Sequence, residues 1–227
     1  LMAANLEPPK EIFAHGWWTN NDQKISKSTG NIIDPYKLIN KFGLDEVRYF
    51  LFREVPFGED GDFSEKAIIN RINNDLANDY GNLVQRVCAF ISKNCNKTVE
   101  NNFILNKTDN EIINQSNDTL NEYIKFMDSY QIDKSLKKIF ELISLSNSYI
   151  DYQAPWNLRK TDKNRMNVVL SILVELIKRI AILSFPIMPI KSNKILNILN
   201  LDIKNLSIDD YSKLPINSYK INDPEPI

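Results

Sequence analysis

Residues 64 to 94, SEKAIINRINNDLANDYGNLVQRVCAFISKN, carry the pattern that decides the fold. Ser64 is a good N-cap, and Phe63 and Ile68 are placed around it as a hydrophobic staple. Apolar side chains then recur at spacings of three and four residues, the period of one face of an α-helix. This stripe comprises Ile69, Ile72, Leu76, Tyr80, Leu83, Val87 and Phe90. The stretch therefore predicts one long amphipathic helix with a single buried face.

Further amphipathic helices are predicted downstream of this stretch. Thr108 and Glu111 have the spacing of a capping box, which predicts a helix that reaches about Asp128. Later helices are predicted from about Leu136 to just before Ala154-Pro155, from about 165 to 184, and, after the breaks at Pro186 and Pro189, to about Leu199. Amphipathic helices with short connections favour an antiparallel bundle. Residues 61–227 are thus predicted to form a helical domain, and the fold class is mostly α.

The first 60 residues have a different character. The aromatic run Lys10 to Trp18, KEIFAHGWW, predicts a strand, and Thr19 to Asp22 predict a turn. Two short helices are then predicted, the first from Asp34-Pro35 to Gly43 and the second containing Val47, Phe50 and Leu51 and ending at Pro56. A turn at Gly58 to Gly61 is interpreted as the domain boundary. One strand cannot complete a sheet by itself, so we expect residues 1–60 to be the tail of a larger α/β domain.

Charge and cysteine content exclude several classes of function. The net charge is −1, so the protein as a whole does not attract nucleic acid, and any RNA binding must be local. Cys88 and Cys95 lie two turns apart on the predicted helix, too far for a disulfide and without partners for a zinc site. This use of cysteine suggests a reducing compartment such as the cytoplasm. Neither a membrane-spanning run nor a DNA-binding pattern is found, and no metal ligands are predicted.

A polar loop, QKISKSTGNIID at residues 23 to 34, holds Lys24, Ser26, Lys27 and Ser28 before Gly30. When pyrophosphate leaves a triphosphate, negative charge accumulates on the β and γ oxygens. Lysine ammoniums on a loop can stabilise that charge most strongly in the transition state, and hydroxyl groups add neutral donors. The pattern indicates a triphosphate-binding loop, although a solvated polar loop has the same composition.

Two features of the helical part suit unstacked RNA. Asn82 and Arg86 lie one turn apart, about 40° from each other, on the flank of the apolar stripe, where an amide and a guanidinium could meet a splayed base. Trp156 lies in the first turn of a helix that begins at Pro155, and its ring could stack on a base. A basic cluster follows it, at Arg159, Lys160, Lys163 and Arg165. The alternatives are a pair of helix-to-helix hydrogen bonds and a tryptophan buried between helices.

The lysine loop resembles a known signature. KISKS, Lys24 to Ser28, is similar to the KMSKS motif of class I aminoacyl-tRNA synthetases, with Ile25 in place of Met at an apolar position that faces the protein. Gly30-Asn31, Asp34-Pro35 and the upstream AHGWW also resemble that context. The resemblance implies that Lys24 and Lys27 bind the phosphates of ATP and assist catalysis, with Ser26 and Ser28 nearby. The second signature of the class, HIGH, is absent, and His15 is not in such a motif. We therefore expect this chain alone to be inactive.

The helical part resembles methionyl-tRNA synthetases in particular. NLVQR is similar to that family's Asn-x-x-x-Arg pair and APW to its tryptophan, and YGNLVQR, SYIDYQAPW and DGDFS also match. The resemblance implies a Rossmann-type catalytic domain that ends near residue 60 and an anticodon-binding bundle over residues 61–227. It implies that Asn82, Arg86 and Trp156 read the CAU anticodon of tRNA(Met), including the initiator. Methionine and ATP with Mg²⁺ are the implied substrates of the intact enzyme.

Other interpretations remain open at this level. A class I synthetase of another specificity, cysteinyl or leucyl, would share the lysine loop but give Trp156 no role. A non-catalytic tRNA-binding module would keep the anticodon residues without the chemistry, and a plain helical interaction domain would bind no tRNA. The final DPEPI, Asp223 to Ile227, resembles the stretch just before the family's short terminal segment, so we expect the parent protein to continue.

Overall fold

The computed structural model describes residues 5–20, 23–26, 30–100, 104–202, 204, 206–213 and 218–227. Lys27 and Ser28 of the lysine loop lie outside these residues. The predicted fold class is confirmed, because long helices pack around one core and follow a small unit with three short strands. Within the described part of the chain, none of the helices is both long and apolar enough to cross a bilayer.

The N-terminal unit contains strands β1 (Trp18–Asn20), β2 (Gln23–Lys24) and β3 (Gly61–Phe63). β1 lies in the middle, antiparallel to β2 and parallel to β3. The strand predicted over Lys10 to Trp18 is therefore wrong in position, and Thr19 and Asn20, predicted as turn, lie in β1. The ladder forms where β3 supplies a partner, starting with the Gly61 amide donating to the Trp17 carbonyl at 2.9 Å.

Two helices of this unit begin and end as predicted. In α1 (Pro35–Phe42) the Asp34 carboxylate accepts from the first backbone amides, and Pro35 occupies the first turn. Gly43 follows with a φ of 101°, a conformation that L side chains rarely adopt. The second helix, α2, runs over Leu44–Arg53. The predicted boundary at residues 60 and 61 stays a prediction; β3, just after it, pairs with β1.

The long helix of residues 64 to 94 is continuous but not uniform. Ser64 caps it as predicted, because its hydroxyl accepts from the Ala67 amide at 3.1 Å. It consists of α3 (Glu65–Arg71), a π-helical segment (Ile72–Gly81) and α4 (Asn82–Asn94). The predicted stripe is wrong at its start, because Ile69 is 41% exposed and Ile68 is fully buried. Packing of Ile68 against Phe50 and Phe63 decides this phase.

The bundle is completed by helices on the C-terminal side. These are α5 (Lys107–Asp128), α6 (Ile132–Gln153), α7 (Pro155–Thr161), α8 (Lys163–Ser184) and α9 (Pro189–Ile198). α8 is the central helix, since its side chains are buried on every face over most of its length. Strands β4 (Thr98–Glu100) and β5 (Ser218–Lys220) pair beside it, and a 3-10 turn covers Ile208–Asp210.

The capping box of α5 differs from the predicted one. Asn106 is the N-cap and Asp109 its partner, in place of Thr108 and Glu111. Asp109 is fully buried, and Arg165 and Tyr149 both donate to its carboxylate, at 2.7 Å in each case. Contacts from two other helices thus select this box over an equally plausible local pattern.

Side chains of α2 fix the N-terminal unit to the bundle. Arg48 donates to the carbonyls of Pro186 and Ile187, at 2.8 Å each, in the turn between α8 and α9. Asp45 is buried and accepts from the Lys191 amide at 2.7 Å, so it caps the first turn of α9 from another helix. The lysine loop and the bundle consequently share one frame.

Candidate functional site

The described part of the lysine loop is a short hairpin. Lys24 lies in β2 opposite Thr19 of β1, and its ammonium is 5.8 Å from the ring centroid of the exposed Trp17. A cation in this position is held above the negative face of the ring while its other side stays open to solvent. The hairpin therefore presents a positive charge at its outer surface.

Asn31 organises the base of the loop. Its side-chain amide donates to the carbonyls of Gln23 and Lys24, at 3.2 Å each, and its oxygen accepts from Asn20 at 2.7 Å. The Asn31 carbonyl accepts from the Ser26 amide at 3.0 Å, which closes the loop. The sequence gave no reason to single out this role for Asn31, because its partners are backbone groups. Lys24 and Ser26 are thus held at the rigid base, and Lys27 and Ser28 lie outside the described residues.

The second candidate site lies on the bundle, where α4 meets α7. Asn82 is the first residue of α4 and is exposed, and Arg86 follows one turn later on the same side. Trp156 lies in the first turn of α7 and is 41% exposed. The Arg86 guanidinium carbon is 5.7 Å from the centroid of the Trp156 ring. The structure therefore brings together Arg86 and Trp156, which are 70 residues apart in the sequence.

An acidic partner of this pair was not anticipated. Asp151, near the end of α6, forms an ion pair with the Arg86 guanidinium at the surface of the protein. Asp151 lies five residues before Trp156 in SYIDYQAPW, but it can meet Arg86 only because Ala154 adopts a left-handed conformation that turns the chain from α6 into α7. The guanidinium is thus oriented by a carboxylate on one side and an aromatic ring on the other.

The predicted basic cluster is only partly available to a ligand. Arg165 binds Asp109 through both of its terminal nitrogens and also donates to Gln153 at 2.8 Å, so it belongs to the core. Arg159 donates to the side chain of Asn94. The ammonium-bearing residues Lys160 and Lys163 are exposed. The expectation that all four cations take phosphates is therefore wrong for Arg165, because a buried carboxylate outcompetes solvent for its guanidinium.

An open groove adjoins Asn82. It has a volume of about 600 Å³ and is lined by Asn78, Asn82 and Gln85 on the helix and by Pro226 and Ile227 opposite. Amide side chains can both donate and accept hydrogen bonds, so this surface can meet the polar edge of a base. The described residues contain no cluster of three side chains that could hold a metal ion, and Cys88 and Cys95 are both free thiols.

Comparison with known proteins identifies the family. A family model described as the anticodon binding domain of methionyl tRNA ligase matches residues 101–216, more than half of the 227 residues. The chain belongs to the methionyl-tRNA synthetase family. A second model, described as tRNA synthetases class I (M), matches residues 1–88. The family resemblance stated from the sequence motifs is confirmed.

Relatives in this family cover nearly the whole chain. Methionine–tRNA ligase of Brucella suis is 43% identical over 216 residues, which is 95% of this chain and 42% of that protein. The ligase of Rickettsia conorii is 46% identical over 205 residues, 89% of this chain and 40% of that protein. The chain thus spans about two fifths of the length of these methionyl-tRNA synthetases.

A solved structure of the family has the same fold. Methionyl-tRNA synthetase of Mycobacterium tuberculosis in complex with methionyl-adenylate superimposes with a TM-score of 0.93 at 36% sequence identity. The superposition covers 99% of this chain and 45% of that chain. The arrangement of the small N-terminal unit and the helical bundle is therefore that of a methionyl-tRNA synthetase.

Proposed function

We propose that this chain is the lysine-loop and anticodon-reading part of a methionine–tRNA ligase. The parent enzyme uses ATP to activate methionine and transfers it to tRNA(Met), including the initiator, in the cytoplasm. The observation that carries this proposal is the stacking of Arg86 on the half-exposed Trp156 at 5.7 Å, one helical turn from Asn82. An aromatic ring next to a forked cation and an amide is the equipment for reading an unstacked base.

The loop residues act in the first half of the reaction. Methionine attacks the α-phosphate of ATP, and the leaving pyrophosphate, bound with Mg²⁺, gains negative charge. Lys24 and Lys27 bind the ATP phosphates and stabilise that charge, while Ser26 and Ser28 provide neutral donors. The hairpin held by Asn31 keeps Lys24 at a fixed place, so little order has to be created when ATP binds. Without the HIGH half of the catalytic domain, this chain alone does not activate methionine.

The bundle residues act in tRNA selection. The Trp156 ring stacks on one anticodon base, and the Arg86 guanidinium and the Asn82 amide supply hydrogen bonds that distinguish cytosine at the first anticodon position. A wrong base would leave these polar groups desolvated without partners, which is the costly kind of mismatch. Arg86 and Asn82 therefore contribute discrimination, while Trp156 contributes affinity.

The first experiment is the binding of this chain to a CAU anticodon stem-loop and to loops altered at one base, at fixed moderate salt. Fixed salt is needed because phosphate contacts alone allow any loop to bind. We expect CAU to bind most tightly and Trp156→Ala to weaken its binding by about tenfold or more, the loss of one stacked base. The matched control is Tyr36→Ala, which removes another exposed aromatic side chain, on α1.

The alternatives predict different results. Equal binding of all loops would contradict the anticodon assignment, and a cysteinyl or leucyl specificity would show as indifference to CAU in the parent enzyme. The proposal that the chain is inert by itself is tested by methionine-dependent pyrophosphate exchange. Appreciable exchange by this chain alone would contradict it and would also exclude a purely tRNA-binding module.

A further inference from the structure

The long helix that joins the two candidate sites is interrupted by a π-helical segment. Ile72–Gly81, ten residues, lie between α3, which packs on the N-terminal unit, and α4, which carries Asn82 and Arg86. π-helical geometry is rare in proteins and usually limited to a single turn. A segment of this length directly before the anticodon-reading residues calls for interactions that hold it.

Such interactions come from α2 of the N-terminal unit. The hydroxyl of Tyr49 donates to the Asp75 carboxylate at 2.6 Å, and Tyr49 is completely buried. Arg71 reaches the same carboxylate at 3.2 Å and also pairs with Glu54 at 2.7 Å. Burial, together with the adjacent Asp75 carboxylate, raises the pKa of Tyr49, so the phenol stays protonated and remains a donor. Asp75 is thus anchored in the middle of the π-helical segment.

The opposite side of the segment is held by α6. The Tyr49 ring packs on Phe140 with ring centroids 5.2 Å apart, and the Asn147 amide donates to the Asp79 carbonyl at 3.1 Å. Tyr49 is therefore in contact with both the π-helical segment and the bundle. Its hydroxyl is the part that faces the segment, and its ring is the part that faces α6.

The helix geometry sets where the anticodon residues point. In a π-helix each backbone hydrogen bond spans one residue more than in an α-helix, so each residue advances the chain through a smaller rotation. Over ten residues this difference turns α4 to a different face from the one that an uninterrupted α-helix would give it. Arg86 meets Trp156 and Asp151 only at the observed phase.

We propose that Tyr49 is a positioning residue for anticodon recognition. Through its hydrogen bond to Asp75 it stabilises the π-helical segment and so fixes the rotation of α4 that places Asn82 and Arg86 beside Trp156. This inference rests on the proposed anticodon function. It assigns part of the specificity of the bundle to a side chain of the N-terminal unit that touches no RNA.

The test compares Tyr49→Phe with Tyr211→Phe in the full 227-residue chain. Each change removes one buried hydroxyl: that of Tyr49 donates to Asp75, and that of Tyr211 donates to the Ser116 carbonyl, both at 2.6 Å. We expect both variants to unfold at a lower temperature. Only Tyr49→Phe should speed amide hydrogen exchange in residues 72–81 and reduce the ratio of CAU binding to one-base-variant binding, by about fivefold or more, as in typical site-to-site coupling.

The outcomes separate this inference from the proposed function. If the wild-type chain prefers CAU and Tyr49→Phe keeps the full preference, the positioning role is refuted and the anticodon function stands. The positioning role also fails if Tyr211→Phe lowers the preference equally, because the loss then follows stability alone. If the wild-type chain has no preference for CAU, the proposed function fails and this inference fails with it.

Discussion

Replacing Lys27 by alanine in the full-length enzyme is expected to slow methionyl-adenylate formation by about a hundredfold or more, with little change in the Kd for tRNA. The physical reason is that a donor aimed at charge that develops only in the transition state contributes to the rate rather than to ground-state binding. The measurement is single-turnover adenylate formation beside tRNA binding by titration. Lys24→Ala should show a defect of the same kind, because its ammonium lies on the same hairpin.

The matched control is Lys107→Ala, which removes another lysine ammonium from a well-exposed side chain at the start of α5. This variant should form the adenylate at the wild-type rate. An equal loss of adenylate formation and tRNA affinity in Lys27→Ala would contradict the assigned role. A defect that appears only as a higher KM for ATP would mean that the lysine binds the ground state instead.

Replacing Asp109 by asparagine is expected to lower the free energy of unfolding by about 3 to 5 kcal/mol, the cost of breaking a buried ion pair from one side. Asp109 has no exposed surface and accepts from Arg165, Tyr149 and the Asn106 amide. Asparagine has nearly the same volume but removes the charge that balances the Arg165 guanidinium. The measurement is urea unfolding followed by circular dichroism.

The matched control is Asp210→Asn. Asp210 occupies the same capping-box position before the 3-10 turn, with Ser207 as its N-cap, but it is partly exposed and pairs with the exposed Lys213. Its replacement should cost much less, because solvent screens the lost charge. Equal losses in the two variants would mean that the capping interaction, rather than the buried pair, carries the stability.

The same pair predicts a dependence on pH. Burial alone would raise the pKa of Asp109, but hydrogen bonds from Arg165, Asn106 and Tyr149 outweigh it and hold that pKa below its ordinary value. A group with a depressed folded pKa contributes stability above its unfolded pKa of about 3.9 and loses it as the pH falls further. The stability difference between wild type and Asp109→Asn should thus be constant above about pH 5 and shrink in more acidic solution.

The sequence by itself determined the local features of this fold. Asp34, Gly43 and Ser64 mark helix ends in the structure as they do in the sequence, because a cap depends on hydrogen bonds and φ angles within a few residues. The turn at Ala154-Pro155 and the place of Trp156 in the first turn of α7 follow in the same way. The lysine loop and the NLVQR and APW motifs also identified the family, since they are short and contiguous.

Only the tertiary structure decided features whose partners are distant in the chain. β1 forms at Trp18–Asn20 because β3, more than 40 residues later, supplies its ladder. Arg165 is drawn into the core by Asp109, and Arg86 is oriented by Asp151, each across a gap that helical periodicity does not register. The π-helical phase of α4 depends on Tyr49 and Asn147 from two other helices. The residue types of the anticodon surface were therefore readable from the sequence, whereas their orientation required the packed protein.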